Sequence, residues 1–244
     1  ASDTGTGSHF GQRAATGGTG AYLAKDGTVV IDAADYDDST SKHGKAWELA
    51  HKWGETGKGS MTTDDHGWNN NRNYADDSPM LTYQVKFDQA GTHYVFIRGI
   101  GEHGGSDSVH VGLNGQEVHS ADRISGFWNG FGWSNHTMDG NVAKIHVDAP
   151  GVHTVNVWMR EDGFVFDKMV LSTDRHFNVW SEPEVSERDV AATGQQTAPS
   201  WDSTDVGNVH KTGSVSIDDS TGLITMEGGG HDIWGNHDAF NFTH

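Results

Sequence analysis

The 244-residue chain contains no cysteine, only four prolines, and 16 Lys plus Arg against 34 Asp plus Glu. Without cysteine there is no disulfide framework, no thiolate nucleophile and no cysteine-ligated zinc or iron–sulfur site. A formal charge of −18 excludes nucleic acid as a partner, because that binding needs clustered Lys/Arg to displace counterions from phosphates. No apolar run reaches the roughly 18 residues of a membrane span, so no membrane partner is expected. Gly-x-Ser-x-Gly, a phosphate loop and a dinucleotide fingerprint are also missing. What is abundant is glycine (33), tryptophan (9) and histidine (16), in a chain only 34% hydrophobic. That composition points to a loop-rich all-β protein with more aromatic rings than its core requires.

The pattern along the chain agrees. Residues 1–26 are rich in Gly, Ser and Thr without hydrophobic period and read as a flexible segment, similar to the tail of a matured export product or a linker. Thr28–Ile31 is a β-branched run, and Leu81–Phe87 (LTYQVKF) alternates with period two. His93–Arg98, Ser108–Leu113, Val142–Val147, Val152–Trp158 and Phe164–Leu171 repeat the signal, each bounded by turn residues. Regular short strands predict a β-sandwich over 27–174. Asn114-Gly115 and Asp162-Gly163 carry the composition of tight hairpin turns. Ala46–Trp53 (AWELAHKW) is the one helix-like stretch. Residues 175–200 read as a linker or as a strap on the sandwich. Residues 201–244 hold short β-like pieces, too few for easy independent folding, and read as a truncated second β domain.

The chemistry-bearing segments are two loops. Phe127, Trp128, Phe131 and Trp133 crowd into Gly126–Asn135, and four rings without strict alternation cannot all enter one core, so at least one is expected at the surface. Flat rings beside the amides of Asn129 and Asn135 suit a neutral sugar, whose C–H faces stack while its hydroxyls hydrogen-bond; the competing reading is that the rings plug one end of the sandwich. The second loop, Asp64–Tyr74, contains Trp68 and three consecutive Asn including Asn71. It either walls a cleft with the first loop or folds Trp68 underneath itself.

These residues carry a resemblance. Val29-Val30-Ile31-Asp32-Ala33-Ala34-Asp35-Tyr36, Leu81–Val85, Ala90–Arg98, Gly151–Val155 and Phe166–Leu171, in that order, resemble the strands of carbohydrate-binding modules of the galactose-binding-like jelly-roll superfamily, broadly family 6-like. The resemblance covers about residues 27–174. It implies a jelly-roll β-sandwich that binds a polysaccharide or oligosaccharide for an appended glycoside hydrolase or lyase, without catalysis of its own. It also implies a structural Ca²⁺ held through Asp32 and Asp167, although Ala34 stands where the family pattern has a second acid, so backbone carbonyls would have to complete the six to eight oxygen ligands. A ligand site gripped by two rings is implied, with Trp128 or Trp133 as one and Trp68 as a candidate for the other. The family's Asn near the closing strand does not carry over, since Phe164-Val165-Phe166 stands there. Trp201–Phe242 in turn looks like the start of a concanavalin-like β-sandwich domain, through GGGHDIWGNHDAFNF at 228–242.

The expectation is therefore a secreted, extracellular, non-catalytic carbohydrate-binding module, monomeric within a larger multidomain enzyme. Its candidate sugar-binding residues are Trp68, Asn71, Trp128, Asn129, Phe131, Trp133 and Asn135. An agarose-like galactan is the favoured ligand, because −18 repels heavily sulfated or uronate chains. Two alternatives stay open. A polysaccharide-degrading enzyme would use paired carboxylates such as Glu102 with Asp107 or Glu161 with Asp162, held about 5 to 9.5 Å apart. A cell-surface adhesion module would leave the Trp/Asn loops without a purpose. The histidines lack the i, i+4 spacing of a helical zinc site and read as surface or strand-filling residues.

Overall fold

The computed structural model describes residues 20–189 and, beyond them, 203–206, 209, 214–218, 223–228 and 240–243. The chain divides into two compact units, 1–191 and 192–244, taken here one at a time. The first opens with short strands β1 (Tyr22–Leu23), β2 (Thr28–Asp32), β3 (Asp38–Thr40), β4 (Glu48–Ala50) and β5 (Ser60–Thr62). The long strands β6 (Met80–Phe87) and β7 (Gly91–Ile100) follow, then β8 (Val109–Leu113), β9 (Gln116–Glu117), β10 (Ile124–Ser125), β11 (Gly132–Ser134) and β12 (His136–Thr137). The unit closes on β13 (Lys144–Val147), β14 (Gly151–Met159) and β15 (Val165–Ser172).

Two sheets face each other in a jelly-roll sandwich. One runs β1-β6-β14-β8-β10-β12, with β3 on β6 and β9 on β8; the other runs β11-β7-β15-β5-β4, with β13 on β7 and β2 on β15. Alternation explains the facing: Leu81, Tyr83, Val85 and Phe87 of β6 are buried, as are Ile145 and Val147 of β13, and burying one side of each strand removes apolar surface from water. Strand β15 is buried on both faces. Its inward Phe166, Met169 and Leu171 join the main core, while Val170 joins Val30, Phe96 and Val179 in a second apolar cluster on the outer face.

That outer cluster decides between the two readings of the segment after residue 174. Residues 175–189 are a strap on the sandwich: Val179 and Phe177 cover the β15 sheet, Val30 donates to Ser186 Oγ and accepts from Ser186 N, both at 2.9 Å, and Arg188 pairs with Asp35 and Asp37 at 3.1 and 2.7 Å. The boundary at the other end shifts. Tyr22 is buried and β1 pairs with β6, so ordered structure begins before residue 27, because a buried aromatic and a strand ladder outweigh the local Gly/Ser composition. Residues 1–19 and 190–200 lie outside the described residues.

Two local expectations need correction. Ala46–Trp53 is no helix: Glu48–Ala50 pairs with β5, since eight residues cannot offset helix nucleation when a strand partner is adjacent. Asp162-Gly163 is no hairpin turn, because β14 lies in one sheet and β15 in the other; the segment is a corner that crosses between them. Asn114-Gly115 does turn a hairpin, with φ of 54° and 74° between Leu113 and Gln116. Both values are those of a type I′ turn. In the second unit β16 (Ser203–Val206) pairs with β19 (Phe240–Thr243) and β17 (Ser214–Asp218) with β18 (Leu223–Glu227), all antiparallel. Most of the 228–242 motif lies outside the described residues. No helix among the described residues is long and apolar enough to cross a membrane.

Candidate functional site

The inter-sheet corner Arg160–Gly163 organises one end of the sandwich. Asp162, fully buried, accepts the N–H groups of His66 and Trp68 at 2.9 and 2.8 Å and the ammonium of Lys45 at 2.6 Å. Burial works against its charge, yet Lys45 and these N–H donors outweigh it and hold the carboxyl below the ordinary range. Glu161 accepts Asp107 N at 2.9 Å and Ser108 Oγ at 2.7 Å, and pairs with Arg160. Arg160 in turn donates to Asn71 Oδ1 at 3.0 Å. One corner thus pins the 64–71 loop and the 103–108 loop together, and His103 Nε2 meets Asp65 Oδ2 at 2.8 Å between them. Glu161 and Asp162 are spent on scaffolding, which removes them as a hydrolytic pair.

The exposed aromatic surface pairs the 126–131 loop with a loop other than the one the sequence suggests. Trp128 is 81% exposed and Trp53 is 100% exposed. Their loops meet: a Cβ on Gly54 would lie 3.5 Å from Phe131 Cδ2, Lys52 Nζ donates to Glu102 at 3.0 Å, and Gly101 N donates to the carbonyl of Trp128 at 3.1 Å. Asn129 is exposed beside Trp128, and Phe131 is half-buried with the Arg98 guanidinium 4.7 Å from its ring centre. Phe127, by contrast, enters the core against Phe164. Trp68 does not form the second wall. It is half-buried against the main core, with His43 edge-on at 6.0 Å and Lys45 Nζ 5.9 Å from the ring centre, because Asp162 draws its backbone under the loop. Asn71 is exposed and held by Arg160 and Asn69. Trp53 escaped the sequence reading because the helix-like spacing absorbed it; the Trp-Gly step inside a polar run was its only signal.

Asp32 and Asp167 lie on adjacent β2 and β15, both buried. The ladder between β15 and β7 slips between Phe166 and Lys168, and this bulge re-aims Asp167. Its carboxylate accepts Thr56 N at 2.9 Å, Thr56 Oγ1 at 2.8 Å and Arg98 Nη1 at 2.6 Å. Asp32 accepts Ala34 N at 2.9 Å and Lys58 N at 2.7 Å. Gly57 (φ 68°) permits that approach, since a Cβ there would lie 1.6 Å from Asp32 Oδ2. Burial, with Asp167 and Asp35 nearby, raises the Asp32 pKa despite the two N–H donors. With each of their oxygens already turned to an N–H, a hydroxyl or a guanidinium, this pair does not fit Ca²⁺, which needs six to eight oxygen ligands facing it. No group of three or more His, Asp or Glu suited to a metal occurs among the described residues. What the two carboxylates hold instead is the 54–58 backbone next to Trp53, helped by Arg98 Nη2 on the Gly54 carbonyl at 3.2 Å.

Trp133 and Asn135 are set apart from Trp128. Trp133 pairs with Arg98 across β11 and β7 and packs on the outer cluster of Phe96, Val179 and Phe177. With Asn135 it lines a groove of about 410 Å³ between β11 and the strap, opposite Trp180, which is 70% exposed. Trp180 was hidden in sequence by the acidic, Pro-containing composition around it.

Comparison with known proteins places these features in a family. Residues 21–181 match the family model described as the glycosyl hydrolase family 115 C-terminal domain. An uncharacterized protein P23 of Formosa agariphila is 34% identical over 110 residues, 40% of this chain and 26% of that protein, so the chain spans 26% of that relative's length. Among solved structures, the Podospora anserina GH26-CBM35 β-(1,4)-mannanase is similar at 20% identity and a TM-score of 0.44, covering 63% of this chain and 29% of that one. A family 35 module from Paenibacillus barcinonensis is similar at 17% identity and a TM-score of 0.42, covering 60% and 99%. The C-terminal CBM6 of a marine laminarinase from Zobellia galactanivorans gives 15% and 0.37, covering 60% and 99%.

Proposed function

Because the chain belongs to the glycosyl hydrolase family 115 C-terminal domains, we propose that it is a non-catalytic carbohydrate-binding module which holds a larger, exported glycoside hydrolase on polysaccharide. One observation carries this reading: two indoles, Trp53 and Trp128, stand largely in solvent, the first on a loop that buried Asp167 and Arg98 anchor from below and the second on a loop held by Gly101 N and by Arg98 against Phe131. Exposed indole faces on a fixed backbone are poor for stability and well suited to stacking on sugar C–H groups. The non-catalytic part of the reading is supported by Glu161 and Asp162, whose oxygens are engaged by loop donors.

The net charge of −18 favours an uncharged or weakly charged chain such as an agarose-like galactan, and β-mannan and laminarin, equally uncharged, are tested beside it. A shallow surface binds one short oligosaccharide weakly. Titration of these polymers against intrinsic Trp fluorescence, followed by an assay for new reducing ends or unsaturated products, tests the proposal. Quenching without products is expected, and Trp128→Ala or Trp53→Ala should weaken binding at least about tenfold at unchanged melting temperature. Products would make the chain an enzyme, and absence of both quenching and products would leave the adhesion reading.

A further inference from the structure

We infer that the sugar-binding surface continues from the loop end along the outer face of the β7–β15 sheet into the groove between Trp133 and Trp180, so that the module takes several linked sugars of a polysaccharide. The inference rests on the carbohydrate-binding reading above and extends it to a second, strap-built subsite.

The two regions are joined through one strand. Phe131, Trp133 and Asn135 are spaced by two, which puts them on one side of β11 and its flanks. Arg98 lies under the Phe131 ring and is the cross-strand partner of Trp133. At about 3.3 Å per residue, the row from 131 to 135 is roughly 13 Å long, too long for one sugar ring and suited to several linked ones. The groove at its far end, about 410 Å³, falls in the roughly 300–1,000 Å³ range of small-molecule sites.

Its chemistry is uncharged and hydroxyl-compatible. Trp133 and Trp180 supply rings, Asn135 and Asn178 amides, Ser134 a hydroxyl and His176 an imidazole; neither a carboxylate nor a Lys or Arg lines it. The indole N–H of Trp133 is buried without an acceptor in the protein. Trp180 sits on a turn fixed by buried Val179 and by the Ser186–Val30 hydrogen bonds, so its ring is presented at little ordering cost.

The test uses the full chain with agaro-, manno- and laminari-oligosaccharides from disaccharide to octasaccharide, followed by calorimetry. In the series that binds, wild-type affinity should rise about tenfold or more with length, since linked subsites reinforce one another. Trp180→Ala should abolish that gain while leaving disaccharide affinity at the wild-type value, and Trp128→Ala should lower affinity at every length. Trp180 is mostly exposed, so an unchanged melting temperature certifies its variant as folded. If Trp180→Ala retains the full length-dependent gain, or wild type shows none while still binding short sugars through Trp128, the second subsite is refuted and the loop-end site survives. If wild type binds no member of any series, the carbohydrate reading itself falls, and the second subsite falls with it.

Discussion

His110 lies flat against Tyr74, ring centres 3.8 Å apart, and ties two segments together through its two nitrogens: Nε2 meets the Asn70 carbonyl at 2.9 Å and Nδ1 accepts Arg123 N at 3.1 Å. The second bond requires the neutral ring. Burial, with Arg160 and Arg123 adding to it against the Asn70 carbonyl, depresses its pKa from 6.5 to about 3, and burial also lowers that of His93. The unfolded chain therefore binds protons that the folded one refuses. The contribution of His110 is complete above about pH 6.5 and is lost progressively as pH falls toward 3. The urea midpoint should decline between pH 7 and 5, and His110→Phe should flatten that decline; an unchanged slope in the variant would assign the effect elsewhere. Sequence alone left the histidines open between surface and strand-filling positions, and His110 takes the second, buried on β8. The sequence could not show the stack on Tyr74, because the two residues are far apart in the chain and meet only when the Asn-rich loop folds over β8.

Among elements, the long strands were readable because alternation and burial coincide: β6, β7, β13 and β15 appear where the hydrophobic period put them. The 160–163 corner and β4 were not, since both are decided by which sheet supplies a partner. The same holds for the 54–58 loop, whose anchors Asp32, Asp167 and Arg98 come from three strands. With Arg98 neutralising Asp167, EDTA should leave the melting temperature unchanged. Removing the guanidinium by Arg98→Ala strands a buried carboxylate, with an expected cost of about 3 kcal/mol and a fall of roughly 6–12 °C in melting temperature. A comparable fall on chelation, reversed by added Ca²⁺, would return Asp32 and Asp167 to the role of metal ligands.

For the molecule as a whole, charge sets solution behaviour. Adding sixteen protons on histidine to −18 leaves −2; with His110 kept neutral by burial, fifteen protons leave −3. Self-repulsion thus largely disappears in mild acid, and turbidity should appear as pH is lowered from 8 to 5 and clear on return. Constant scattering across that range would refute it. The sandwich class was legible in the chain, while its extent was not: composition leaves 175–200 open between a linker and a strap, and only the buried Val179 and the Arg188 ion pairs reveal 175–189 as part of the domain. Asp32, Asp167 and Arg98 fasten the 54–58 backbone from beneath, and Arg98 also lies against Phe131, so these loops rest on groups that no ligand need touch and their tips are free to change: replacing the residues at 53 or 128 should redirect preference among glycans without retuning the foundation, so that one scaffold can serve many cell walls.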